Sequence, residues 1–141
     1  MAARLAAGTS AGVAAYIAVV FALYGFHELA LQDGNDAYPE WYGTGDLLLR
    51  SVSSVAPGLL AGWLCRARGI TAGALAGGLG GIAEAVFFGV LIGVPLAEFG
   101  GRIYVAAVST AVANALTNAV GGAAGAALRR QSEVSSRASG S

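Results

Sequence analysis

The stretch GITAGALAGGLGGIAEAVFFGVLIGV, residues 69–94, decides the fold of this chain. Glu84 is the only charged residue in it. A helix needs about 20 largely apolar residues to cross the hydrocarbon core of a bilayer, and this stretch is long enough. It therefore predicts a membrane-spanning helix that carries a single ionisable group.

The composition of the whole chain agrees with a membrane environment. Of its 141 residues, 56% are hydrophobic and only 11% are charged, and the mean hydropathy is +0.67. Soluble domains carry about a quarter charged residues, so this chain has too few to cover a water-exposed surface. The length allows one domain, and the lipid bilayer is its predicted surrounding.

Three further apolar stretches predict helices of similar length. With residues 69–94 they give four spans, at about 5–26, 47–65, 69–94 and 103–128. Arg50 and Pro57 interrupt the second span. The first is longer than the 7–15 apolar residues typical of a signal peptide, so we expect it to be retained. The sequence thus predicts an all-α fold, a compact four-transmembrane-helix bundle over residues 1–128.

The arginines predict how this bundle is oriented. All eight basic residues are arginine, and in a four-span arrangement six lie on one side: Arg4, Arg66, Arg68, Arg129, Arg130 and Arg137. Cytoplasmic loops carry the excess of basic residues. We therefore expect a multi-pass protein of the cytoplasmic membrane with both termini inside. The loop 27–46 would then lie outside, and residues 129–141 would form a disordered cytoplasmic tail.

Glycines four residues apart occur in every predicted span. They are Gly8 and Gly12, Gly58 and Gly62, Gly73, Gly77 and Gly81, and Gly121 and Gly125. Small residues at this spacing let helix backbones approach closely in lipid. We expect tight packing in the cytoplasmic half of the bundle. Equal depths predict that Gly77 meets Gly121 and that Gly73 meets Gly125 across the last two spans.

Glu84 shares a helix face with the glycines of its span, because positions three, four and seven apart lie on one side. At a similar depth we expect a polar cluster of Glu84, Asn114, Asn118, Thr110, Thr117, Ser51 and Ser54. One interpretation is an interhelical clamp, in which a protonated carboxyl group donates one hydrogen bond and accepts others. The other is a proton or cation site, since ionisable groups within membranes are functional candidates.

Other chemistry finds little support in the sequence. Cys65 is the only cysteine and His27 the only histidine. The single candidate metal set is His27, Glu28, Asp33 and Asp36, and it is the weaker interpretation beside an ordinary polar loop. There is no basic patch with interleaved aromatic residues, so no nucleic-acid partner is expected. We expect no metal, no cofactor and no enzymatic activity, because no nucleophile with its base is present.

A four-span chain with one membrane glutamate resembles the small multidrug-resistance transporters. That family carries its glutamate in the first span, whereas Glu84 lies in the third. Rotary-ring proteolipids also combine a glycine-rich helix with a carboxylate. Their acid lies on the helix opposite the glycines, unlike Glu84, so neither resemblance assigns a family.

Two functions follow as expectations. The first is a small non-enzymatic membrane protein that acts as a structural, accessory or oligomer-forming subunit, as a homo-oligomer or in a larger membrane complex. The alternative is a small proton- or cation-coupled transporter or channel that uses Glu84.

Overall fold

The chain is helical throughout the residues that the structure, a computed structural model, describes: 2–31, 40–91 and 102–139. Its helices are α1 (Ala2–Leu31), α2 (Glu40–Cys65), α3 (Gly69–Leu91) and α4 (Arg102–Ala138). A short 3-10 turn, Arg66–Arg68, joins α2 to α3. The prediction of an all-α fold is confirmed.

The helices are longer than the predicted spans. Within the predicted loop 27–46, residues 27–31 belong to α1 and residues 40–46 to α2. The prediction of a disordered tail is also wrong for residues 129–138, which form the last turns of α4. The ion pair of Glu133 with Arg66 attaches these turns to the 3-10 turn between α2 and α3. Asp33 and Asp36, from the candidate metal set, lie outside the described residues.

By length and apolarity, two stretches of the described chain could cross a membrane. One is Ala2–Leu29, and the other is Gly43–Phe87, which runs through α2, the turn and α3. The helix α4 is not among them, and Asn114 and Asn118 near its centre lower its apolar character. This test therefore supports two candidate spans and not the four that the sequence predicts.

The two central helices are α2 and α3. They contact each other, α1 packs on both of them, and α4 packs on both of them as well. The core between α1, α2 and α3 is made of small side chains: Ala61, Ala72 and Ala76 are fully buried, beside Cys65. Small side chains at the centre let the helix axes approach, which is how helices pack in lipid.

Glycine allows the closest of these approaches. A Cβ atom at Gly58, Gly62, Gly73 or Gly77 would overlap a backbone carbonyl of α4. At the other glycines of the predicted packing set, an added Cβ would lie 3.0 Å or less from an atom of a neighbouring helix: a backbone carbonyl at Gly8, Gly121 and Gly125, and a Cβ or Cα atom at Gly12 and Gly81. The same holds for Gly69, Gly80 and Gly122, although the four-residue spacing did not single them out. By contrast, Gly25 and Gly43, nearer the other end of the bundle, have nothing within 4 Å of an added Cβ.

The predicted register between α3 and α4 is wrong. Gly77 lies against Asn114 and Asn118, and not against Gly121. The carbonyls of α2 at Val55 and Leu59 are the ones that Gly121 and Gly125 approach. Because α4 carries glycine on two faces, it docks on α2 with one face and on α3 with the other.

The large apolar side chains point outward. Leu79, Val86, Leu116 and Val120 are each about half exposed or more, and many other Ile, Leu, Val and Phe side chains are exposed in the same way. Across the described residues, the interior is therefore small and partly polar, while the surface is large and apolar.

Candidate functional site

Glu84 belongs to a hydrogen-bonded chain that links three helices. The Tyr16 hydroxyl group, on α1, donates to Glu84 Oε2 on α3 over 2.6 Å. The side-chain amide of Asn114, on α4, donates in turn to the Tyr16 oxygen. Tyr16 is 4% exposed, so it is buried between the three helices. A tyrosine hydroxyl group can accept from one neighbour and donate to another at once, which lets it bridge the two polar side chains.

Gly80 makes room for this tyrosine. An added Cβ at Gly80 would lie 2.5 Å from Cγ of Tyr16, so any larger residue here would collide with the ring. Gly8, Gly12 and Tyr16 follow one another at intervals of four and occupy one face of α1. That face packs on α2 and α3, and it delivers the tyrosine to Glu84.

A small apolar cavity of about 150 Å³ adjoins the pair. Ile17 and Val20 line it from α1, and Glu84 and Phe87 line it from α3. The rings of Phe21 and Phe87 meet edge to face at 5.0 Å beyond it. Of the two carboxylate oxygens of Glu84, only Oε2 has a hydrogen-bond partner among the described residues. The second oxygen can therefore take up a proton without loss of the hydrogen bond from Tyr16.

Asn118 has a separate role. It is fully buried, its Oδ1 accepts from the Gly58 N–H over 2.7 Å, and its Nδ2 donates to the Asn114 carbonyl over 2.9 Å. Pro57 has no N–H and interrupts the hydrogen bonding of α2, so Gly58 is the first backbone donor after the interruption. Asn118 satisfies that donor from α4 and thereby sets the height of α4 against α2.

The other members of the predicted polar cluster do not join Glu84. Ser51 and Ser54 donate to carbonyls of their own helix, at Leu47 and Ser51. Thr117 is exposed and donates back to α4, and Thr110 is exposed as well. The short hydroxyl side chains reach the carbonyl one turn back, which removes them from contacts between helices.

Sequence reasoning missed Tyr16 as the partner of Glu84. Tyr16 is not among the residues that the sequence predicts for the polar cluster. The available signal was its position on the glycine face of α1, four residues after Gly12. A buried tyrosine on the packing face of a helix needs a partner for its hydroxyl group, and Glu84 supplies one.

The described ranges contain no candidate metal site. No group of three His, Cys, Asp or Glu side chains there could hold an ion. His27 and Glu28 lie in the last turns of α1, away from Glu84.

The site can hold or exchange a proton, or hold a small cation, at one carboxyl group positioned by a tyrosine.

Comparisons of this chain with protein-family models, with curated proteins and with solved structures found no match.

Proposed function

We propose that this chain is a small non-enzymatic integral membrane protein, a four-helix bundle with both termini in the cytoplasm that acts as a structural or accessory subunit. The observation that carries the proposal is the distribution of side-chain size and polarity. Alanine, glycine and asparagine are buried, whereas large aliphatic side chains are exposed. In water such a surface would be an unusually large apolar patch. In lipid it is the expected arrangement, because lipid tails are as apolar as leucine.

The low burial of the apolar helices favours a membrane protein over a soluble helical protein. Only 28% of the most apolar window of Ala2–Leu29, and 33% of that of Gly43–Phe87, is buried inside the bundle. The core helix of a soluble protein would be mostly buried. A four-span bundle is also compatible with the polar residues of α4, because Asn114 and Asn118 hydrogen-bond to other helices of the bundle.

The close-packed glycines already contact other helices of this chain, so a partner helix would have to bind at a different surface. The outer face of α1 provides such a surface. Ala14, Ala18 and Ala22 are exposed there at intervals of four, and Gly25 follows with nothing within 4 Å of an added Cβ. This spacing permits a second helix to approach closely, which favours assembly with another copy or with a larger membrane complex.

The test is the mass of the protein extracted in a mild detergent, read by native mass spectrometry. We expect a homo-oligomer or a stable complex, and we expect Ala18→Trp to dissociate it. Val112→Trp, at an exposed site on α4, is the matched control and should leave the assembly intact. A strictly monomeric wild-type chain that copurifies with nothing would refute the subunit role.

Orientation is tested separately with reporter fusions that are active only outside the cytoplasm. Because six arginines lie at one end of the four-span arrangement, a reporter in the loop 27–46 should be active. A reporter at the C-terminus should be silent. The opposite pattern would overturn the orientation without affecting the bundle.

A second candidate function is proton- or cation-coupled transport through Glu84. It is favoured by one observation: Glu84 lines a cavity between α1 and α3 and has one carboxyl oxygen that is unbonded within the described residues. Glu84→Gln keeps the size and an acceptor for Tyr16 but cannot ionise. If Glu84 titrates in transport, this variant should fold normally and lose proton-coupled uptake or leak in liposomes.

Glu84→Leu provides the complementary arm. It leaves the buried Tyr16 hydroxyl group without its acceptor, so it should reduce thermal stability in detergent as well as any transport. Full activity of the glutamine variant would remove the titrating role and leave Glu84 as a clamp between α1 and α3.

A further inference from the structure

Arginine side chains from three parts of the chain converge at one end of the bundle, and we name them the arginine pocket: Arg4, Arg66, Arg68 and Arg129. They line two adjoining cavities. The larger, of about 410 Å³, is bounded by Arg4, Arg66, Arg68 and the buried Cys65. The smaller, of about 270 Å³, is bounded by Arg4, Arg66 and Arg129 with the apolar side chains of Ala7 and Leu64. The two cavities share Arg4 and Arg66.

The charge of this pocket is not balanced. Glu133 is the acidic side chain that reaches it, with Oε2 2.7 Å from Nη2 of Arg66 and Oε1 3.3 Å from Nε of Arg129. Arg4 and Arg68 have no acidic partner among the described residues. Four guanidinium groups and one carboxylate leave a net charge of +3 (4 − 1), so the arginines repel one another until an anion binds.

Two of the four arginines are held in place. Arg129 donates from Nη1 to the Trp63 carbonyl over 3.1 Å, at the end of α2. Arg66 has a φ of 51°, in the left-handed region that residues other than glycine rarely adopt, and its ion pair with Glu133 fixes its side chain across the turn. The pocket is therefore already formed on one side, while Arg4 and Arg68 are exposed and can close on a ligand from the other.

We propose that the arginine pocket binds a phosphate group. A planar guanidinium group presents parallel N–H donors that match phosphate oxygens in pairs, which makes arginine the preferred residue for this anion. Ala7, Leu64 and Cys65 give the cavities an apolar side. Basic pockets between helices at the cytoplasmic side of a membrane suit the headgroup of an anionic phospholipid. A soluble phosphate compound carries the same chemistry.

The experiment uses the full chain in a neutral detergent with three probes: phosphatidylglycerol, phosphatidylcholine and inorganic phosphate. Binding is read by native mass spectrometry and by the shift in melting temperature. The test variant is Arg4→Gln with Arg68→Gln, which leaves the Glu133 ion pairs in place. The matched control is Arg130→Gln with Arg137→Gln, which removes the same charge from the same end of the protein without touching either cavity.

We expect phosphatidylglycerol to bind and stabilise the wild-type protein. Phosphatidylcholine should do so far less, because the choline cation balances the charge of its own phosphate group and would be repelled by the arginines. The test variant should bind phosphatidylglycerol about 30-fold more weakly, on the order of fivefold for each arginine near an anionic headgroup. The control should lose less than about threefold. Without lipid, the test variant should melt at or above the wild-type temperature, because two repelling charges are gone.

Inorganic phosphate distinguishes the two sources of the ligand. Stabilisation by phosphatidylglycerol alone supports a phospholipid site, and stabilisation by both probes supports a site that the phosphate group itself occupies. If the test variant fails to fold, Arg68→Gln alone carries the test, with a loss of about fivefold. The proposal is overturned if neither probe stabilises the wild type, if phosphatidylcholine binds equally well, or if the control loses as much as the test variant.

Discussion

Gly77 and Gly78 are neighbours on α3, and the same substitution should have opposite effects at the two positions. A Cβ at Gly77 would overlap the Asn114 carbonyl and lie 2.7 Å from Cβ of Asn118. A Cβ at Gly78 would lie 3.6 Å from Cβ of Ala115, an ordinary van der Waals contact. We therefore expect Gly77→Ala to destabilise the bundle and Gly78→Ala to leave it unchanged or slightly more stable.

The magnitude follows from the difference between the two variants. Replacing glycine by alanine within a helix favours the helix by about 0.5–1 kcal/mol, and this gain is shared by both variants and cancels. What remains is the overpacking at Gly77, about 1–3 kcal/mol when a well-packed interior must accept an extra carbon. For a chain of this size each kcal/mol shifts the melting temperature by about 2–4 °C. The two variants should therefore differ by about 2–12 °C.

The assay is thermal unfolding in a mild detergent, followed by tryptophan fluorescence, with a denaturant titration for the free energy of unfolding. A second pair checks that the effect is general. Gly62→Ala places a Cβ on the Gly122 carbonyl, whereas Gly25→Ala meets nothing within 4 Å. If Gly77→Ala and Gly78→Ala have the same stability, the close approach of α3 and α4 at Gly77 is wrong.

Three further predictions use the same measurements. Asn118→Leu removes the side-chain acceptor of the buried Gly58 N–H and should lower the free energy of unfolding by about 1–3 kcal/mol. The control Thr117→Val, at an exposed site, should change it by less than about 0.5 kcal/mol, and equal effects would contradict the role of the asparagine. Tyr16→Phe removes the hydroxyl group that bridges three helices and should lower the free energy of unfolding by about 0.5–1.5 kcal/mol. An unchanged free energy of unfolding would show that the bridge is not formed. Glu133→Gln breaks two partly exposed ion pairs, so the free energy of unfolding should fall by less than about 1 kcal/mol. Amide hydrogen exchange in the last turns of α4 should become faster, and unchanged exchange would show that other contacts hold those turns.

Much of the helical pattern could be predicted from the sequence, because most of each helix is a continuous run of apolar residues. The predicted start of the third span, residue 69, is also where α3 begins, and the predicted end of the second, residue 65, is where α2 ends. The helix ends near residues 40 and 138 could not be predicted in this way. Those turns are polar, and the ones after residue 128 are attached by an ion pair between Glu133 and Arg66 in a distant turn, which the local sequence does not reveal.

The candidate site was predicted only in part. A lone carboxyl group in an apolar run points to Glu84 directly, since burying it without a partner would be costly. Its partner could not be found by matching depths along α3 and α4, because the hydrogen bond comes from Tyr16 on α1. Asn118 was expected beside Glu84, yet its side-chain oxygen accepts from the Gly58 N–H on α2, directly after Pro57.

The sequence by itself determined the central part of each helix and which residues share a helix face, because both depend on local hydrogen bonding and on the fixed period of the helix. It also determined most of the positions at which glycine makes a close approach possible. Only the tertiary structure decided which neighbour each face meets and at what height. Gly121 and Gly122 lie next to each other in the chain, but one packs on α2 and the other on α3. A helical period defines a direction around one axis, and it contains no information about the rotation or the vertical offset of the helix that packs against it. Those are fixed by the contacts themselves, here the glycine–carbonyl approaches and the hydrogen bonds of Tyr16 and Asn118.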